Sequence, residues 1–134
     1  MNLGRIASSS TPYALGLLRI VTALLFLQHG TAKLFHFPRV AMFDKIELWS
    51  LLGVAGMIEL AGGVLLLLGL CTRPVAFILS GQMAVAYFLV HAKESLYPIL
   101  NQGELAALYC FVFLYFSAAG GGAFALDGRT KPGR

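Results

Sequence analysis

Arg19, His29, Glu59 and Gln82 are able to move protons or hold a polar ligand, and all fall inside hydrophobic segments long enough to cross a membrane. Ala14 to Phe35 is almost continuously apolar, yet it carries Arg19, Gln28, His29 and Lys33. Leu48 to Leu70 is apolar apart from Ser50 and Glu59. A charge in a bilayer core is costly unless it is paired or reaches water, so such residues mark a functional site by default. At about 100° per residue, Arg19, Thr22, Phe26, His29, Gly30 and Lys33 share one side of a helix, while Gln28 points elsewhere. Gly56, Glu59, Gly62 and Gly63 share a face of the next helix, where small residues admit a neighbouring backbone. The expected result is an Arg19–Glu59 ion pair in the interior, with Gln82 at similar depth adding a hydrogen bond. Such a pair either belongs to a site or fixes only packing and register.

Three chemistries draw on residues of these types. A quinone or other amphiphile needs an apolar slot with a few donors for its oxygens, and Arg19, His29 and Gln82 with Phe26, Tyr87 and Tyr109 could furnish one. Arg19 or His29 would then hydrogen-bond a carbonyl oxygen and stabilise charge on reduction, and Glu59 or His29 would relay the proton. His29 serves equally well as a hydrogen-bonded structural histidine. Haem ligation would need two histidines at matching depth. His29 lies about two turns inside its helix end and His91 near its own, so the depths match poorly. A zinc or iron site needs three or four converging ligands, and no His, Cys or carboxylate spacing supplies them. Cys71 and Cys110 form no C-x-x-C pair and read as small packing residues. A second polar group, Lys33, His91, Asn101 and Glu104 with His36 and Gln102, lies toward the opposite surface. Lys33 and Glu104 read there as side chains that snorkel to water.

The elements that must position these groups follow from composition. The chain has 134 residues, 58% hydrophobic and 12% charged, against about 45–50% and about 25% in soluble domains. A spanning helix takes roughly 20 residues, and the pattern gives an all-α, integral membrane four-helix bundle with spans at about 13–37, 48–70, 74–91 and 104–120. Residues 1–11 form a polar N-terminal arm, 12–120 the membrane domain and 121–134 a basic C-terminal tail. Ala14 to Phe35 is longer than a signal core and holds Arg19, so it reads as a retained helix. The formal net charge of +4 has no basic patch interleaved with aromatics to suggest nucleic acid; Arg129, Lys131 and Arg134 suit anionic lipid headgroups. Arg5, Arg73 and these three face one acid, Asp127, on one side. Arg39, Lys45 and Lys93 are offset by Asp44, Glu47, Glu94 and Glu104 on the other. That asymmetry places both termini in the cytoplasm.

Motif order adds a resemblance. The first helix reads Arg19-(x)9-His29-Gly30-(x)2-Lys33-Leu34, and the second Gly56-(x)2-Glu59-Leu60-(x)1-Gly62-Gly63, running on to Thr72-Arg73-Pro74. The fourth opens Asn101-Gln102-Gly103-Glu104, and Gly120-Gly121-Gly122 with Leu126-Asp127 follows it. From about Leu15 to Asp127 this resembles the DoxX family of small four-helix bacterial inner-membrane proteins. The family's first-helix Arg and second-helix Glu map onto Arg19 and Glu59, and its H/F-G-x-x-K segment onto His29, Gly30 and Lys33. Its usual Asn-Gly-Gly-Glu and Gly-Pro-Gly read here Asn-Gln-Gly-Glu and Gly-Gly-Gly.

The resemblance implies a subunit of a membrane redox or detoxification system. Family members are labelled oxidoreductases or quinone-oxidoreductase subunits, and some are associated with thiosulfate:quinone oxidoreduction, thiol and oxidative stress, or resistance to quinones and catechols. The sequence has no dinucleotide-binding fingerprint and no metal-ligand set. Electrons are therefore expected from a soluble or membrane oxidoreductase partner, with a quinone as the one ligand class the residues suit. Two other readings stay open: a small transporter of an amphiphilic compound, which four helices would accomplish as a homo-oligomer, and a non-catalytic scaffold for soluble oxidoreductases.

Overall fold

The computed structural model describes residues 2–129, so Lys131 and Arg134 of the basic tail lie outside the described residues. Among these the chain is all-α, with no strand. Three segments are long and apolar enough to cross a membrane by length and composition: Leu3–Phe35, Leu51–Leu68 and Thr72–His91. A fourth apolar helix, Glu104–Ala119, is shorter. Trp49, at the start of the second segment, is 82% exposed, which suits the aromatic belt of a membrane interface. The described chain divides into two compact units, residues 2–72 with 121–129, and Arg73–Gly120.

The first unit is built on helix α1 (Leu3–Phe35) and helix α2 (Leu51–Leu68). The expected polar arm is part of α1. Asn2 caps the helix by accepting the Gly4 N–H at 3.2 Å. Ser8, Ser9, Ser10 and Thr11 then turn their hydroxyls back onto the carbonyls of Arg5, Ile6 and Ala7. Satisfied within the helix, these residues no longer compete with it, and Pro12 sits inside α1. His36, at φ 55°, ends the helix. A short 3-10 turn (Ala41–Phe43) follows, and Ser50 caps α2 by accepting the Gly53 N–H at 3.2 Å. This start is three residues later than expected.

Helices α1 and α2 pack through the faces read from the sequence. Arg19, Thr22, Phe26, Gly30 and Lys33 of α1 are buried, as are Gly56, Glu59, Gly62 and Gly63 of α2. The closest approach is at Gly30, where an added Cβ would lie 2.7 Å from the Leu60 nitrogen and 3.1 Å from the Gly56 carbonyl oxygen. Backbone cannot yield as a flexible side chain does. Gly30→Ala is therefore expected to force the helices apart and cost about 1–3 kcal/mol, read as a lowered unfolding midpoint; an unchanged midpoint would refute the contact.

The second unit holds, from Arg73 onward, helix α3 (Thr72–Ala86), which continues into a π turn (Tyr87–His91), then a one-turn helix α4 (Pro98–Asn101) and helix α5 (Glu104–Ala119). Its core is Ala76, Leu79, Met83, Ala106, Tyr109, Phe113 and Phe116. The Tyr109 and Phe113 rings stack 5.6 Å apart. Ser80 Oγ donates to the Cys110 carbonyl at 2.7 Å. The Arg73 guanidinium caps the last turn of α5 by donating to the Ser117 and Ala118 carbonyls.

Candidate functional site

Arg19 and Glu59 do not pair. Gly30 of α1 sits level with Gly56 to Leu60 of α2, and Arg19 lies eleven residues earlier, roughly 16 Å along the axis. That is beyond a guanidinium's reach. Arg19 instead meets the far end of α2. Its Nη1 donates to the carbonyls of Leu66 at 2.7 Å and Leu67 at 2.6 Å, both in the last turn of α2. Nε donates to Gly121 O at 2.8 Å and Nη2 to Ala123 O at 3.3 Å. The side chain is 0% exposed, and the negative end of the α2 dipole offsets part of its burial. Gly69 makes room: its φ of 69° terminates α2, and a Cβ there would stand 3.1 Å from Arg19 Cζ.

Residues 121–129 thus fold back onto the first unit. The Ala123 N–H donates to Pro12 O at 2.8 Å and the Asp127 N–H to Gly69 O at 2.9 Å. The Asp127 carboxylate accepts the N–H groups of Cys71 at 2.7 Å and Thr72 at 2.9 Å, where α3 begins. Burial pushes the Asp127 carboxyl up, but the hydrogen bonds from Thr72 and Cys71 and the charge of Arg19 outweigh it and hold the group below its ordinary value of 3.8. A depressed carboxylate lends stability above the unfolded value and loses it as pH falls through the folded one. Cleavage of the tail by an acid protease is therefore expected to rise as pH drops below about 3.8, and Asp127→Asn to flatten that profile. A wild-type profile without such a rise would contradict the assignment.

Glu59 takes its charge partner from Lys33. The ammonium lies 2.6 and 2.7 Å from the two carboxylate oxygens, and the side chains are 8% and 3% exposed. Lys33 does not snorkel to water. It stands one residue past the well-buried Ala32, on the face held against α2. Its ammonium also lies 5.5 Å from the centroid of the Phe43 ring, a cation–π contact.

Next to this pair, half-buried His29 lines a concavity of about 290 Å³ with Gln28, Ala32, Pro38, Val40, Met42 and Phe43. Ligand sites run upward from about 300 Å³, and this space stands at the small end of that range. His29 and Lys33 are four residues apart and neighbours on one helix face. Phe43 joins the two features, since its ring meets the ammonium and lines the concavity.

Gln82, Tyr87 and Tyr109 belong to the second unit, while Phe26 is core at 1% exposure. His91 and Asn101 do meet, with His91 Nδ1 3.0 Å from the Asn101 carbonyl. A carbonyl only accepts, so Nδ1 carries the proton. The Asn101 side chain donates to Ser95 O and Tyr87 Oη and accepts the Gly103 N–H. This set closes the 92–101 loop. Glu104 is an exposed first residue of α5. Among the described residues no group of three or more His, Cys, Asp or Glu could hold a metal ion. The concavity's loop wall, Pro38 to Phe43, has no periodic pattern to betray it. Asp127 was visible as the lone acid of a basic tail.

The DoxX family model matches residues 14–92. A Haemophilus influenzae protein described as "Uncharacterized protein" is 50% identical over 127 residues, 88% of this chain and 91% of its own length. "Putative oxidoreductase CatD" of Bacillus subtilis is 31% identical over 113 residues, 83% of this chain and 82% of its own. No solved structure matches. With its first-helix Arg, second-helix Glu and H-G-x-x-K segment inside the matched stretch, the chain belongs to the DoxX family.

Proposed function

We propose that this protein is a membrane subunit of a redox or detoxification system acting on quinones or similar amphiphiles, in the bacterial inner membrane with both termini cytoplasmic. The observation that carries the reading is the His29 concavity: an imidazole set in apolar walls beside a buried charge pair. An amphiphile's ring would lie against Ala32, Val40 and Phe43 while the His29 ring hydrogen-bonds its oxygen. A soluble or membrane oxidoreductase supplies the electrons. The name of the Bacillus subtilis relative points the same way. Arg19 has no part in the slot, because four of its five N–H donors are taken by backbone carbonyls at the far end of α2 and in the tail.

The test is mass spectrometry of protein purified gently from its native membrane. A stoichiometric quinone-class lipid is expected in the wild type and lost in His29→Ala, with helicity unchanged by circular dichroism. Ordinary phospholipid alone, in both proteins, would overturn the reading.

A further inference from the structure

We infer that the His29 concavity takes amphiphilic organic anions, carboxylates or phenolates, and that Lys33 passes from Glu59 to the ligand's oxygen while Glu59 takes up a proton. The inference rests on reading that concavity as the ligand site, and not on the redox chemistry. Its basis is the arrangement of three groups. The Lys33 ammonium spends two of its three N–H donors on Glu59, at 2.6 and 2.7 Å. It also lies over Phe43, the ring that lines the concavity. Glu59, at 3% exposure, has no water to turn to. A ligand anion that draws the ammonium toward the concavity leaves that carboxylate buried without its counter-charge. A buried carboxylate in that position neutralises by protonation.

The charges balance: one anion enters, one proton enters, and the carboxylate becomes a carboxylic acid. No other charged residue lies on α2. On α1 the titratable neighbour is His29, and Arg19 is held by carbonyls at the other end. In the connecting loop Arg39 and Asp44 pair with each other at the surface, at 2.8 Å, while His36, Lys45 and Glu47 are exposed. Lys33 is thus a cation in place to meet an anion in the concavity, and Glu59 the carboxylate whose counter-charge then moves away.

The experiment is calorimetry on the full chain in lipid nanodiscs, with 1-naphthoate as the anionic probe and 1-naphthamide as its neutral isostere. One proton taken up per naphthoate is expected from buffers of different ionisation enthalpy. Naphthoate affinity should fall about tenfold per unit rise in pH, as uptake of one proton requires. Glu59→Gln, a stand-in for the protonated acid, should bind naphthoate without that slope, and Lys33→Met should lose it. The wild-type proton count tests the proposal even if a variant fails to fold. Naphthoate binding without proton uptake, or naphthamide binding equally well, would overturn the inference. No naphthoate binding, alongside a neutral short-chain quinone that binds and is lost in His29→Ala, would overturn it too and leave the concavity as the ligand site. Binding of neither would overturn both.

Discussion

Glu59→Ala is expected to destabilise the protein by about 3–5 kcal/mol, the usual cost of removing one partner from a buried ion pair. The loss comes less from the missing attraction than from what remains. Lys33 is 8% exposed, and without the carboxylate its charge has no counter-ion and little water, keeping only the Phe43 ring. Lys33→Ala should cost a similar amount for the mirror reason. Replacing both, as in Lys33→Met with Glu59→Leu, should recover most of the loss, since apolar residues of similar volume often match or exceed a buried pair. Unfolding of the wild type, Lys33→Met, Glu59→Leu and the variant carrying both, in one lipid system, forms a double-mutant cycle. A coupling energy near zero would mean that the two side chains do not depend on each other. A stable double variant would also supply a folded protein without the charges, against which ligand binding can be scored.

Arg19→Met is expected to cost at least about 3 kcal/mol, because each hydrogen bond from a charged group contributes about 1.5–3 kcal/mol and four are lost together. The four share one guanidinium, so their effects will not add. Arg19→Lys is the sharper substitution. It keeps the charge near Asp127, but a single ammonium cannot reproduce a fork that reaches Leu66 and Leu67 on one side and Gly121 and Ala123 on the other. Protease cleavage between Gly121 and Arg129 should therefore rise in both variants. A tail as protected in Arg19→Met as in the wild type would sink this account.

The helix faces were legible in the sequence because they depend only on period. Gly56, Glu59, Gly62 and Gly63 are buried on one side of α2 as their spacing requires, and α5 occupies Glu104–Ala119 as expected. Pairing across helices was not legible. Helix α1 offers two cations on one face, Arg19 and Lys33, to the single acid of α2. Which one wins depends on axial offset, and offset depends on where each helix starts. The serine run hid the start of α1, because its hydroxyls bond inward where they could as well have ended the helix. The acceptors of Arg19 were hidden more deeply still. They are backbone carbonyls, which every residue carries and no sequence marks.

The attachment of the tail also bears on the order of assembly. Arg19 donates to Gly121 and Ala123, which follow it by 102 and 104 residues. At about 5–20 residues per second of synthesis, the guanidinium waits roughly 5–20 s for those acceptors. Through that interval the nascent first hairpin holds a cation with half of its ligation missing. A chain that stops before Gly121 lacks two of the four carbonyls that ligate Arg19.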